Sequence, residues 1–392
     1  MKIVLVTGGA LGDLPIIKQL KTNGNFVVTS GNNPKDIGHL HSDRYIPCDY
    51  TDVDGLMKIC EELKCDAIIP SAHDLAAIAA SKVADRLGLP GYDNPSVSEM
   101  IHNKDQLRQA LYGTGIPQPR FWLIQSEAEL EAKTSWTFPL IVKPVDLTGG
   151  NGITICENLY SLKYAFLRAQ SISLSAKVII EELLQGSYHG VTTIIVKQKV
   201  SFLFADNEYF LFDSFRVSAT TFPSSLNSKQ TDAIKEMIET FAKAYNLVDG
   251  LLHVQLILSE EEVTILEMCR RTPGDLYPVF VEFSTKTDYT AWITYPFLGT
   301  EIKFDSKPLA SELLRNTGRF MLMPQRKGVF QGIEESSDTF YEKTVPVLPL
   351  GSYIENPRKE TLAIYFLRSK NSISEEMLTA IKSSLRPIIS NQ

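Results

Sequence analysis

Residues Phe138 to Ile153 read FPLIVKPVDLTGGNGI, and the predicted fold depends on this stretch. The apolar, β-branched run before Lys143 predicts a strand that ends at Pro144. Residues 148–152, TGGNG, predict a loop with little side-chain bulk, and the apolar residues that resume at Ile153 predict another strand. The stretch therefore predicts a strand, a flexible glycine loop and a second strand.

Such a loop suits an anion, because glycines let backbone N–H groups approach phosphate oxygens and Lys143 adds a positive charge at the loop mouth. It is not a Walker loop, since no Gly-Lys-Ser/Thr closes it and no helix follows at once. A tight β-hairpin whose glycines serve only the turn explains this stretch equally well. The remaining segments must decide between the two interpretations.

Composition limits the class of protein. A chain of 392 residues is too long for one compact core and predicts two or three domains, while the net charge of −7 disfavours a nucleic-acid partner. The five cysteines are scattered without a C-x-x-C pair, which argues against disulfides and structural zinc and fits a cytoplasmic protein. No apolar run approaches the roughly 18 residues of a membrane span, so no membrane association is expected.

Residues 2–70 alternate between strand and helix patterns, which predicts a doubly wound parallel sheet. The turn at residues 8–12 reads GGALG and not GxGxxG, and no acidic residue closes the second strand, so NAD binding is disfavoured. His73 and Asp74 follow the fourth strand, at the sheet edge where ligands of such folds usually bind. His73 is therefore either a substrate contact, a general base or a helix cap.

Turn-rich residues 88–95 mark the first domain boundary, and a single helix is predicted over residues 96–112. Strand and helix patterns then continue to about residue 303, and short strands with a closing helix follow. The predicted domains are residues 1–95, residues 96–303 with a lid subdomain at about 120–190, and a small C-terminal domain at 304–392.

In this order, the segments resemble the ATP-grasp superfamily of carboxylate-amine ligases, similar to L-amino acid ligases and carbamoyl phosphate synthetases. The resemblance rests on the mononucleotide-binding-like first domain and on four motifs: Asn103-Lys104, Ile141 to Pro144 with its glycine loop, Ile179 to Gly186, and Leu266 to Gly274. It implies a Rossmann-like domain, an ATP-grasp domain whose two α+β subdomains clamp ATP, and a small α+β domain that completes the fold.

The resemblance also implies a set of ATP-binding residues. These are Lys104, Lys143, Thr148, Gly149, Gly150, Gly152, Glu181, Glu182, Leu184, Tyr188 and His189. The two lysines neutralise phosphates, the glycine loop closes over the γ-phosphate, and Glu181 with the backbone near Leu184 binds adenine. Tyr188 or His189 replaces the acidic residue that usually holds the ribose hydroxyls.

Mg²⁺, with Mn²⁺ as an alternative, is the metal that the resemblance implies. Glu267 matches a metal carboxylate, but Gln255 stands where the other carboxylate is expected and Cys269 replaces a usual asparagine. A neutral amide brings less charge than a carboxylate, and a thiol is a poor ligand for so hard an ion. Arg271, together with Lys143, matches a catalytic position, and its forked guanidinium suits an acyl phosphate or a carboxylate.

The implied reaction joins a small-molecule carboxylate to an amine through an acyl phosphate. Arg216 and Asp275 are predicted to hold the carboxylate and the amine, with further substrate contacts from Gly274, His73 and Asp74. Two other functions stay open: a bicarbonate-dependent carboxylase of the same fold, and a non-catalytic ATP or metabolite sensor, which the altered metal positions favour. A homodimer is compatible with the resemblance, because related ligases are often dimers.

Overall fold

The structure is a computed structural model that describes residues 1–133, 135–147, 149–212, 214–260, 262–304, 316–336 and 341–391. The chain divides into two compact units. The first contains Met1–Phe204, Leu226–Gly274 and Thr290–Lys303, and the second contains Ala205–Ser225, Asp275–Tyr289 and Phe304–Gln392. Within the described ranges, no helix has both the length and the apolar composition needed to cross a bilayer.

The first unit begins with β1 (Ile3–Val6), α1 (Leu14–Thr22), β2 (Phe26–Gly31), β3 (Arg44–Pro47), α2 (Val53–Leu63), β4 (Ala67–Ile69) and α3 (Asp74–Leu87). The strands are parallel in the order β3-β2-β1-β4. Successive strand residues point to opposite faces, so Val4 shares one core with Ile17 of α1. Leu5 lies in a second core with Leu56 of α2 and Val83 of α3. Helices cover both faces, which confirms the predicted doubly wound parallel sheet.

The single helix predicted over residues 96–112 is wrong. The chain forms α4 (Pro95–His102) and α5 (Lys104–Thr114), with extended backbone at Asn103, where φ is −105° and ψ is 123°. The physical reason is tertiary: the Lys104 N–H donates to the Val145 carbonyl at 3.3 Å. This contact overrides the local helix preference and brings the start of α5 beside the chain that follows Lys143.

The next part of the first unit contains β5 (Phe121–Ile124), α6 (Glu127–Ala132), β6 (Leu140–Pro144), β7 (Thr154–Cys156), α7 (Leu159–Ile172) and β8 (Val178–Glu182). The strands form an antiparallel sheet in the order β5-β8-β6-β7, and α7 packs on it through Leu162 and Phe166. Strands β6 and β7 pair across the glycine loop, with Leu140 opposite Cys156. The predicted arrangement of strand, glycine loop and strand is confirmed.

The following elements are β9 (Ser187–Val196), β10 (Lys199–Tyr209), β11 (Ala219–Phe222), α8 (Ser228–Ala244), β12 (Gly250–Ser259) and β13 (Glu262–Cys269). In the first unit, β12 lies between β9 and β13, and both pairings are antiparallel. Their register places Gln255 opposite both Gly190 and Glu267. Residues directly opposite each other project to the same face of a sheet, so the two predicted metal-site residues share a face.

The last elements are α9 (Tyr277–Thr285), α10 (Tyr289–Thr294), β14 (Asn316–Leu322), β15 (Gly328–Glu335), β16 (Lys343–Pro346), β17 (Tyr353–Ile354), β18 (Ala363–Ser369), α11 (Glu375–Ser384) and β19 (Leu385–Ser390). In the second unit, β11, β14, β18 and β16 are neighbours in that order, and β15 pairs with β17 and β19. Phe320, Tyr365 and Leu378 belong to its core. The predicted C-terminal strands and closing helix are confirmed, whereas β17 and β19 were not predicted.

Candidate active site

Lys143 and the glycine loop lie at one end of the β6–β7 hairpin. Gly149, Gly150 and Gly152 have φ values of 63°, 75° and 76°, a region that strongly favours glycine. A Cβ atom at Gly152 would also lie 2.5 Å from Cδ1 of Ile172. The loop therefore needs glycine for its conformation as well as for access, and Thr148, its remaining predicted contact, lies outside the described residues.

Asp146 fixes the base of this loop, and sequence reasoning gave it no role. Its carboxylate accepts hydrogen bonds from the backbone N–H groups of Leu174 and Ser175, at 3.1 and 2.7 Å, and from the Ser173 hydroxyl at 3.0 Å. Burial raises the pKa of Asp146, but these hydrogen bonds outweigh it and lower the pKa overall. An ionised Asp146 thus ties the loop to the chain that follows α7.

Lys143 does not stand alone, because its Nζ atom lies 2.5 Å from Oε2 of Glu181 on β8. The other carboxylate oxygen of Glu181 accepts from Nε of Arg108 on α5, at 2.6 Å. Glu181 is 1% exposed. Burial raises its pKa, but Arg108 and Lys143 outweigh burial and lower it to about 2. Both oxygens contact cations, and the adenine contact predicted for this side chain stays a prediction.

Glu182 and Leu184 occupy the segment between β8 and β9. The Glu182 carboxylate accepts from the backbone N–H of Arg120 at 2.9 Å and from its Nε at 2.8 Å, and Leu184 is half-buried. A Cβ atom at Gly186 would lie 2.1 Å from the Leu258 carbonyl oxygen, so the chain needs glycine at this close approach. The adenine contacts predicted for Glu182 and Leu184 stay predictions.

Tyr188 and His189 project to opposite faces of β9, since successive strand residues alternate. His189 is fully buried, and its Nε2 lies 2.8 Å from the Ser187 hydroxyl. Tyr188 is half-buried and lies two residues from Gly190, the partner of Gln255. Of the two residues predicted for the ribose, the register therefore favours Tyr188.

Glu267 and Lys104 connect the predicted metal position to the glycine loop. Lys104 Nζ lies 3.3 Å from Oε1 of Glu267 and donates to the Leu147 carbonyl at 2.7 Å. Glu267 keeps 39% of its side chain exposed, so it remains accessible to a ligand. One lysine thus contacts both a predicted metal carboxylate and the base of the predicted phosphate loop.

The donor set fits Mg²⁺ bound together with a nucleotide. In the part of the chain that the structure describes, no cluster of three or more His, Cys, Asp or Glu residues could hold a metal by itself. Gln255 and Glu267 supply one amide and one carboxylate on the same face. Mg²⁺ commonly takes only one or two protein carboxylates and completes its shell with water and substrate phosphates.

Cys269 follows Glu267 by two residues and is 5% exposed. Burial raises the pKa of its thiol to about 11, so the thiol stays neutral at physiological pH. It donates to the Arg271 carbonyl at 3.4 Å. The side chain therefore supports the backbone near Arg271 instead of offering a thiolate to a metal.

Arg271 and Asp74 form an ion pair, with Nε 2.7 Å from Oδ1. Burial raises the pKa of Asp74, but Arg271, together with His102 and Lys104, outweighs burial and lowers the pKa to about 2. His73 accepts the Leu75 N–H through Nδ1 at 3.3 Å and so acts as the N-cap of α3. The structure places the predicted substrate residue Asp74 against the predicted catalytic residue Arg271, and it supports the capping interpretation of His73.

His102 and Arg270 hold the backbone next to Arg271, and sequence reasoning missed both. The Arg270 N–H donates to Nε2 of His102 at 3.2 Å, so Nδ1 carries the proton and donates to the Ser98 carbonyl at 2.7 Å. The Arg270 guanidinium pairs with Asp93 at 2.7 Å. A buried neutral histidine and a buried ion pair thus fix this turn.

In the second unit, the predicted substrate residues Arg216 and Asp275 contact each other. Arg216 Nη2 lies 2.7 Å from Oδ1 of Asp275 and 2.7 Å from Oγ1 of Thr361. Arg216 Nη1 donates to the Lys359 carbonyl at 2.9 Å. Gly274 is the last residue of its segment in the first unit. Their substrate contacts stay predictions.

Comparison with known proteins shows a family match over part of the chain and a shared fold. Residues 101–274 match the ATP-grasp domain family. The chain is 18% identical to the L-amino acid ligase of Bacillus licheniformis, with a TM-score of 0.84 over 100% of this chain and 99% of that chain. Residues 101–274 therefore carry an ATP-grasp domain, and the chain has the fold of ATP-grasp ligases, as predicted.

Two further similarities are more distant. The N5-carboxyaminoimidazole ribonucleotide synthetase of Thermotoga maritima is 15% identical, with a TM-score of 0.74 and complete coverage of both chains. The carbamoyl phosphate synthase large chain of Thermotoga maritima is 24% identical over 194 residues, which cover 48% of this chain and 18% of that protein. The chain spans about half or less of the length of the curated relatives that it matches.

Proposed function

We propose that this protein is an ATP-dependent ligase that activates a carboxylate as an acyl phosphate and joins it to an amine. The observation that carries the proposal is the position of Lys104, between Glu267 at 3.3 Å and the Leu147 carbonyl at 2.7 Å. A cation that contacts both a metal-type carboxylate and a glycine loop is suited to a triphosphate with its metal.

The first step transfers the γ-phosphoryl group. A substrate carboxylate oxygen attacks the γ-phosphorus, the bond to the β,γ-bridging oxygen breaks, and ADP leaves. Lys104 and Lys143 offset the phosphate charge, and the N–H groups of the glycine loop donate to the γ-phosphate oxygens. When bound through Glu267 and Gln255, Mg²⁺ supplies further charge stabilisation at the phosphates.

The second step forms the amide. The amine nitrogen attacks the acyl carbon, inorganic phosphate leaves, and the nitrogen loses a proton. Arg271 suits the acyl phosphate, because its planar fork can donate two parallel hydrogen bonds to a carboxylate or a phosphate. Asp74, at 2.7 Å, keeps that fork in one orientation.

An amino acid is the carboxylate that we favour. The similarity to an L-amino acid ligase over nearly the full length of both chains supports this choice. The similarity to a carboxyaminoimidazole synthetase keeps bicarbonate as the second candidate.

Phosphate release tests the proposal. The full chain is incubated with ATP, Mg²⁺ and pairs of amino acids, in buffer freed of bicarbonate, and products are identified by mass spectrometry. We expect release that needs both a carboxylate and an amine, that is lost in Lys143→Met, and that persists in Lys163→Met. Lys163 is a matched control, because its ion pair with Glu131 is exposed.

Other results would contradict the proposal. Release that requires added bicarbonate and no amino acid would identify a carboxylase. Tight ATP binding without release on any carboxylate would identify a sensor, which the replacements at Gln255 and Cys269 would then explain.

A further inference from the structure

Arg108 connects three elements of the first unit around Glu181. It lies on α5 and is 1% exposed. Its Nε contacts Oε1 of Glu181 on β8 at 2.6 Å, and its Nη2 donates to the Leu266 carbonyl on β13 at 2.7 Å. Lys143 on β6 contacts the other oxygen of Glu181 at 2.5 Å. One buried carboxylate is therefore shared by two cations.

The charges of this group do not cancel. Arg108 and Lys143 contribute two positive charges and Glu181 one negative charge, which leaves a net charge of +1. Without Arg108, the buried carboxylate would be offset by Lys143 alone, and their attraction in a weakly polar interior would hold the lysine at Glu181. Arg108 supplies the second positive charge that makes one cation available.

The excess charge lies toward the accessible end of the group. The side chains of Arg108 and Glu181 are 2% and 1% exposed, whereas that of Lys143 is 13% exposed. Lys143 also stands at the mouth of the glycine loop, and Lys104 lies one turn before Arg108 on the same face of α5. Lys143 is therefore the cation that an incoming anion can reach. Arg108 offsets the Glu181 charge that would otherwise neutralise Lys143.

A purely structural role explains Arg108 less well. Its Nη1 atom is buried and has no hydrogen-bond partner among the described residues. Buried ion pairs are often replaceable by apolar side chains of similar volume without loss of stability, so stability alone does not require a guanidinium here.

From these contacts, and resting on the ATP-dependent function proposed above, we propose that Arg108 is a positioning residue for nucleotide binding. By offsetting the charge of Glu181, it leaves the Lys143 ammonium available to the phosphates of ATP. Glu181 then acts as the shared counter-ion of two cations and not as a contact for adenine.

Binding of a non-hydrolysable ATP analogue, measured by calorimetry with Mg²⁺, tests this inference without relying on turnover. We expect Arg108→Met to weaken binding about 10-fold or more, because Glu181 then retains Lys143. The double variant Arg108→Met with Glu181→Gln should bind within about 3-fold of wild type, since the net charge of +1 is restored. Lys163→Met, which removes one exposed charge elsewhere, should bind like wild type.

The double variant separates a charge effect from a structural one. Wild-type affinity in Arg108→Met, or equal weakness in the single and double variants, would overturn the inference. If Arg108→Met fails to fold, the Glu181→Gln variant tests the inference instead. This variant raises the net charge of the group and should bind the ATP analogue at least as tightly as wild type. If Glu181→Gln bound the analogue more weakly and lost its preference for ATP over GTP, the inference would be overturned in favour of an adenine contact by Glu181. A wild-type chain that binds no analogue would contradict the proposed function itself.

Discussion

Glu181 and Asp74 are both buried carboxylates of the first unit, but they differ in the number of cations that they contact. Glu181 lies between Arg108 and Lys143, at 2.6 and 2.5 Å. Asp74 contacts Arg271 at 2.7 Å, and burial lowers the pKa of nearby His102, which favours its neutral form. The Glu181 group therefore carries a net charge of +1, whereas the pair of Asp74 and Arg271 is neutral.

This difference in net charge suggests two roles, nucleotide binding for one group and orientation of the reacting group for the other. A group with an excess positive charge can attract a polyanion, so we assign the Glu181 group to nucleotide binding. A neutral pair offers little net attraction but holds a guanidinium in one geometry, so we assign Arg271 to the orientation of the reacting carboxylate or acyl phosphate.

Arg271→Lys should show the largest effect. The variant keeps the charge but loses the fork, so we expect kcat for phosphate release to fall about 100-fold or more. The dissociation constant for the ATP analogue should stay within about 3-fold of wild type, because the charge of Arg271 is already offset. Arg86→Lys, in an exposed pair, is the control. A large loss of ATP affinity with unchanged kcat would contradict the assignment.

Asp74→Asn should destabilise the protein by about 3 kcal/mol, because it leaves a largely buried guanidinium without its counter-ion. Urea unfolding measures the difference. Asp54→Asn removes the partner of Arg86 on the surface and should cost less than about 1 kcal/mol. If both variants lost the same free energy of unfolding, the pair of Asp74 and Arg271 would contribute no more to stability than an exposed pair.

Acid should reduce the contribution of Glu181 and Asp74 to folding stability. The pKa values of Glu181 and Asp74 are about 2 in the folded protein, below their ordinary values of 4.5 and 3.8. The unfolded chain then binds more protons, so their contribution to stability is complete above about pH 4.5 and is lost as the pH falls toward 2. Each group should contribute a slope of up to about 1.4 kcal/mol per pH unit. The free energy of unfolding, measured at pH 3, 4 and 5, should change less with pH in Glu181→Gln and in Asp74→Asn than in the wild type. A pH dependence equal to that of the wild type would contradict the pairing.

Asp13 provides the opposite case, a buried carboxylate that accepts from the backbone N–H groups of Ala10 and Ala72. Burial outweighs these hydrogen bonds and raises its pKa to about 6 from 3.8. The folded protein then binds more protons, so the contribution of Asp13 to stability increases as the pH falls from about 6 to 4. Asp13→Asn should remove this trend between pH 4 and 7, and a variant with the wild-type slope would contradict the raised pKa.

Local sequence patterns predicted the parts that depend on short-range order. The apolar runs around Lys143 and the glycines after it define the β6–β7 hairpin, and the strand patterns around Gln255 and Glu267 predicted the two strands that pair there. Arg108 was missed because its partner Glu181 is 73 residues away and its spacing on α5 is ordinary for a helix. One sequence does not reveal which of its arginines is buried against a carboxylate.

The same limit explains why the single helix predicted over residues 96–112 is wrong. The break at Asn103 depends on a hydrogen bond from Lys104 to Val145, which no helix signal contains. The motif gave Glu181 an adenine contact, which stays a prediction, and it contained no sign of the two cations that contact this carboxylate. Motif order predicts the fold and the candidate residues, whereas burial and pairing define the surroundings of each side chain.

Gln255→Glu tests the predicted metal site and should have the smallest effect. Gln255 lies opposite Glu267, whose charge is already shared with Lys104 at 3.3 Å. A second carboxylate adds charge for a hard cation but repels Glu267 in its absence, so the two effects partly cancel. We expect the Mg²⁺ concentration for half-maximal phosphate release to fall about 5-fold, with Gln331→Glu as an exposed control. An unchanged Mg²⁺ dependence would show that the nucleotide holds the ion without this face of β12, and the neutral amide would then have no part in metal binding.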